Sequence, residues 1–142
     1  MGDPAALAVV AAVDDAGPMP EPCTANWFDR PGGEPVELHQ PSPQWIELAD
    51  RWIATLERVL SALRPRVEHI GSTAVPGLIA KPVIDLQVSV PDIEDEVAYR
   101  PALESLGLVL RAREPGHRYF RPPAGQPRTV HVHVCELGST WE

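Results

Sequence analysis

The stretch that decides the fold is Glu68–Val90, EHIGSTAVPGLIAKPVIDLQVSV. Its first residues continue an extended run that begins at Arg66, and Gly71-Ser72 breaks that run into a turn. A Pro-Gly-containing connection follows, and the chain then returns as a second strand, Pro82–Val90. On that strand the period of two puts Val83, Asp85, Gln87 and Ser89 on one face, with Ile84, Leu86, Val88 and Val90 on the other. A carboxylate in the middle of so apolar a strand is costly unless it faces a cleft, a cation, a metal or hydrogen-bond donors. Asp85 is therefore the first candidate functional residue.

Before this stretch, Ser42 has the form of a helix cap and Pro43 suits the first helical position. Trp45, Ala49, Trp52, Leu56, Val59, Leu60 and Leu63 recur at helical spacing, and Arg64-Pro65 ends the run. After it, residues 91–107 read as a helix opened by Pro91-Asp92 and closed by Gly107, with Pro101 as a point of kinking or splitting. LVLRA and HRYFRP predict strands around a turn at Glu114-Pro115-Gly116, and RTVHVHVCE a last, strongly alternating strand. The order predicts an α/β or α+β sheet with helices mainly on one side. Residues 1–41 are rich in Pro, Ala and acids without sustained periodicity, so they predict a poorly ordered extension ahead of one domain over 42–142.

The chain has 142 residues, 44% of them apolar and 23% charged, with a formal net charge of −8. Its only lysine is Lys81, so a general nucleic-acid surface is not expected. Five arginines do gather late, at 111, 113, 118, 121 and 128, which leaves room for a local anion patch. No apolar run approaches the roughly 20 residues of a membrane span, and the opening residues lack the basic start of an export signal. Cys23 and Cys135 have no metal-type spacing. Two reduced thiols in a cytoplasmic protein are the expectation.

Several residue types converge on phosphate and metal chemistry. A glycine that turns the backbone tightly, followed by Ser72 and Thr73, exposes N–H and hydroxyl groups that can cradle a phosphate. Lys81 and Arg118 are candidate phosphate ligands, with His117 and Tyr119 at the mouth of the same site, and His69, just ahead of the turn, is a further ligand candidate whose competing role is to support the turn. His131 and His133 put two imidazoles about 7 Å apart along one face of the last strand. Joined by Asp85, they would form a mixed nitrogen–oxygen site suited to Zn²⁺ or Mn²⁺ more than Mg²⁺. Hydrogen bonding within a polar cleft, without a metal, is the competing expectation.

Gly-Ser, about a dozen residues, then Asp on a strand resembles the polymerase-beta-type nucleotidyltransferase superfamily. HIGSTAVPGLIAKPVIDLQVSV, followed by HRYF and HVHV, resembles the GrpB family within it, from about Trp45 to Ser139. The resemblance implies a nucleotidyltransferase-like mixed sheet. In that superfamily the Gly-Ser holds a triphosphate, and two or three carboxylates hold Mg²⁺ while a hydroxyl attacks the α-phosphorus. Here the second carboxylate position is Gln87, a poorer Mg²⁺ ligand, and His131 or His133 stands where a third acid is usual. The family also generally continues past HVHV into further helices, whereas this chain stops at Trp141-Glu142. The expectation is a metal-dependent nucleotidyltransferase with Asp85 and Gln87 at its centre. Its alternatives are a non-catalytic module for a nucleotide or phosphate ligand, and an interaction protein that uses the fold as a scaffold.

Overall fold

The computed structural model describes residues 37–142 and the backbone of Asn26–Trp27. Helix α1, Pro43–Val59, begins where the sequence predicts: Ser42 Oγ accepts from the Gln44 N–H at 3.1 Å, and Pro43 occupies the first turn. It ends a few residues early, handing over to a short 3₁₀ turn at Ser61–Leu63 before Arg64 takes a positive φ of 50° ahead of Pro65. Trp45, Ala49 and Leu56 bury its inner face, with Trp52 packed beside them.

A sheet of six strands lies against α1. They are β1 (Asn26–Trp27), β2 (Arg66–Ile70), β3 (Ile84–Val90), β4 (Val109–Glu114), β5 (His117–Arg121) and β6 (Val130–Glu136), in the order β1-β4-β5-β6-β3-β2. All neighbours are antiparallel except β3 and β6. The sheet is therefore mixed, as the sequence reading expects. Ile84, Leu86 and Val88 of β3, Val130, Val132 and Val134 of β6, and Phe120 of β5 form the core with α1. The alternate residues face away from the helices.

Residues 91–107 are split near Pro101, the point at which the sequence reading places a kink or break, and less of the segment is helical than that reading expects. They fold as an Asx turn in which Asp92 Oδ1 accepts from the Glu94 N–H, a 3₁₀ turn at Glu96–Ala98, and a short helix α2, Arg100–Ser105. The reason is Pro101: it cannot donate to a preceding turn, so it is tolerated only in the first turn of α2. Tyr99 fixes the junction, fully buried against Phe120 with its hydroxyl donating to Ile93 O at 2.6 Å. Most of the predicted extension over 1–41 lies outside the described residues. Of the part described, Asn26–Trp27 pairs with β4 and His39 bridges Ala80.

Candidate functional site

The parallel register of β3 and β6 sets Asp85 opposite His131 and Gln87 opposite His133, on the face away from the helices. β5 brings Tyr119 opposite His133, and the β4–β5 hairpin brings Glu114 opposite His117 across the Pro115-Gly116 turn. Asp85, Glu114, His117, Tyr119, His131 and His133, with Ala112 between them, line a pocket of about 290 Å³, and Gln87 is not part of its wall.

Its polar groups form one connected series. Asp85 Oδ1 lies 3.1 Å from His131 Nδ1 and 3.6 Å from His133 Nε2. His133 Nδ1 lies 3.1 Å from His117 Nε2, and His117 Nδ1 lies 2.8 Å from Glu114 Oε1. Burial works to raise the Asp85 carboxyl, but the two adjoining imidazoles outweigh it and hold it at about 2. Burial, aided by the His133 charge and opposed by Glu114, lowers the pKa of His117. Aromatic rings cover the imidazole faces: Trp141 stacks on His117 at 4.4 Å and Tyr119 on His133 at 5.2 Å. His131 Nε2 is buried and has no hydrogen-bond partner.

The Gly-Ser turn abuts the same carboxylate. Gly71 has φ +79°, and a Cβ placed on it would come within 2.7 Å of Asp85 Oδ2. Ser72 starts a 3₁₀ turn, Ser72–Ala74, and is exposed. Thr73 is buried, and its hydroxyl donates to Val83 O at 3.0 Å. Having spent its one proton there, Thr73 Oγ1 accepts at 2.9 Å from His69 Nε2, so His69 carries a hydrogen on that nitrogen. Burial lowers the pKa of His69 against the pull of Asp85 and Asp50. His69 and Thr73 thus hold the turn in place.

Other predicted residues are placed elsewhere. Lys81 is exposed in the loop before β3 and is not in the pocket wall. Gln87 Nε2 donates to the main-chain oxygen of Glu142 at 3.4 Å. Arg118 projects from the opposite face of β5, where it meets Glu96 at 2.6 Å and Glu94 at 3.3 Å. Strand alternation separates it from His117, so the two do not share the pocket. The late arginines divide accordingly. Arg113 joins Arg118 on Glu96, whereas Arg111, Arg121 and Arg128 lie within charge range of Tyr119 beside the pocket. Arg111 reaches that side because it is the extra residue of a bulge between Leu110 and Ala112.

The residue that sequence reasoning missed is Glu114, taken as part of a turn. The hairpin closed by Pro115-Gly116 puts Glu114 and His117 directly opposite, but that Glu114 enters the pocket depends on the pairing of β5 with β6. The three predicted metal ligands, Asp85, His131 and His133, do come together around one carboxylate oxygen, with His131 at hydrogen-bond distance and His133 at 3.6 Å. Among the described residues no group of three or more His, Cys, Asp or Glu is arranged to hold a metal ion. Cys135 is a free, buried thiol next to Ser89, while Cys23 lies outside the described residues. No helix among the described residues is long and apolar enough to cross a membrane.

Comparison with known proteins follows the same residues. A UPF0157 protein of Streptomyces coelicolor is 43% identical over 122 residues, 84% of this chain and 62% of that protein. The crystal structure of a conserved GrpB protein from Enterococcus faecalis superposes with a TM-score of 0.66 at 33% identity, covering 74% of this chain and 64% of that one. A dephospho-CoA kinase of Mycobacterium bovis shares a stretch of 69 residues at 42% identity, 45% of this chain and 17% of the kinase. This chain spans 62%, 57% and 52% of the lengths of the UPF0157 proteins of Streptomyces coelicolor, Halalkalibacterium halodurans and Pseudomonas aeruginosa, and 31% of that of Bacillus subtilis. The family described as GrpB protein matches residues 35–142, which contain the whole pocket, and the chain belongs to that family.

Proposed function

We propose that this domain binds a nucleotide or a related phosphate-bearing ligand in the Asp85 pocket, and that the reaction suited to the site is transfer of a nucleotidyl group to a hydroxyl. The observation that carries this reading is the close approach of the Gly71 turn to Asp85, which supports a ligand whose phosphate meets the turn beside that carboxylate. A positive flank from Arg111, Arg121 and Arg128 favours an anionic ligand on the same face. That a similar stretch is carried within mycobacterial dephospho-CoA kinases is in keeping with a module for phosphate ligands.

In-line transfer of this kind depends on positioning and on neutralising phosphate charge. Gln87 is neutral where the superfamily resemblance asks for a second acid, and its amide is directed to Glu142 O. That observation favours a second reading, binding without transfer.

Calorimetry with ATP, with and without Mn²⁺, tests both readings. The wild-type protein is expected to bind, and Asp85→Asn to weaken binding at least tenfold in the Mn²⁺ arm while circular dichroism stays native. Absence of binding in both arms sinks both readings. Release of pyrophosphate in the presence of a polyol acceptor separates transfer from binding alone.

A further inference from the structure

Among the described residues Trp141 is the one exposed Trp, Tyr or Phe, at 44% of its surface, and yet it is firmly held. Its ring lies on His117 at 4.4 Å and 15°, and its Nε1–H donates to Pro115 O at 3.3 Å. Gly116 makes room for the indole edge, since a Cβ there would stand 3.0 Å from Trp141 Nε1. The neighbouring residue is anchored across the sheet. Glu142 Oε2 meets Arg66 Nη1 at 3.1 Å, its Oε1 accepts from the Gly138 N–H at 2.9 Å, and its main-chain oxygen accepts from Gln87 Nε2 at 3.4 Å. An exposed indole fixed in this way has lost its rotamer freedom before any ligand arrives, so a ring that stacks on it keeps more of the contact energy.

The strand register sets this indole and the Gly-Ser turn at opposite ends of the pocket. Asp85, which the Gly71 turn approaches, pairs with His131, whereas His117, which carries the indole, pairs with Cys135. Four residues of β6 separate those two rows, roughly 13 Å at the rise of a strand. Between them the pocket wall is rich in flat rings, from His117, Tyr119, His131 and His133. We propose that Trp141 is the stacking platform for the base of a nucleoside phosphate whose phosphates meet the Gly71-Ser72 turn. This rests on the reading above for the place of the phosphates, and narrows the ligand from any phosphate ester to one that carries a planar ring at a distance from its charge. Orthophosphate or a sugar phosphate reaches the turn and leaves the indole open. Every base offers a π-face to an indole, so the platform selects for a base over none and discriminates little among bases.

Titration of the full chain with ATP, adenosine and tripolyphosphate, followed by calorimetry and tryptophan fluorescence, separates the base from the phosphates. ATP and adenosine are expected to quench the emission of Trp141, identified as the part missing from Trp141→Phe, and tripolyphosphate is not. Trp141→Ala should weaken ATP binding about tenfold and leave tripolyphosphate binding unchanged, while Trp141→Phe, which keeps a flat ring, should restore most of the ATP affinity. Equal ATP affinity in the wild type and Trp141→Ala overturns the proposal. So does a loss of the same size for tripolyphosphate, which marks a merely structural role for the indole. Quenching by neither ATP nor adenosine overturns it as well, and that wild-type measurement decides the matter if Trp141→Ala does not fold. Quenching by adenosine without any binding of tripolyphosphate would leave the platform standing and remove the phosphate site. Binding of tripolyphosphate without any response to adenosine or to Trp141→Ala would do the reverse.

Discussion

At Gly71 a single missing atom joins two parts of the site. Its φ of +79° with ψ near −170° is a conformation other residues rarely adopt, and a Cβ there would press on Asp85 Oδ2. Gly71→Ala should cost about 1–3 kcal/mol in urea unfolding and should also displace Asp85, visible as a shift in the His131 imidazole resonances. A loss confined to stability, with those resonances unmoved, would mean that the turn and the carboxylate are not mechanically joined. Gly71, Ser72, Asp85 and the two histidines of β6 were legible in the sequence because strand alternation and turn chemistry act locally. Glu114 was not, since its role depends on a partner across the hairpin.

At the scale of elements, the 91–107 segment is held down by charge as well as by helix formation. Glu96 receives Arg113 at 2.7 Å and Arg118 at 2.6 Å, and Arg118 is 2% exposed. Removing the acceptor leaves a buried guanidinium poorly compensated. Glu96→Ala is expected to lower stability by about 3 kcal/mol, measured by chemical unfolding, while leaving the opposite, pocket-bearing face of the sheet unchanged. This pairing also accounts for Arg118. From its sequence neighbours it read as a phosphate ligand, but alternation along β5 sends it to the helical side while His117 and Tyr119 go to the pocket. The start of α1, by contrast, was readable to the residue, because a cap and a first-turn proline depend only on neighbours in the chain.

At the scale of the molecule, acid sensitivity follows from the two perturbed carboxyls. Asp85 and Glu96 each titrate at about 2 in the fold, below the roughly 4 of an unfolded chain. With the folded value depressed, their stabilisation is fully present above about pH 4 and is lost as pH falls through about 2, so stability should rise with pH across that window. Asp85→Asn should flatten the slope in pH-dependent unfolding measurements, and an unchanged slope would show that its charge is not coupled to folding.

The sequence by itself determined α1, the strands β2 to β6, the apolar and polar faces of β3 and β6, the turn at Gly71 and the family, since these follow from local periodicity and a long contiguous motif. Only the tertiary structure decided which polar residues meet. The parallel pairing of β3 with β6, and the placement of β5 between β6 and β4, bring Asp85, His131, His133, His117 and Glu114 into one series. Those contacts join residues from four strands, and their register is set by burying Ile84, Leu86, Val130 and Val132 on the other face.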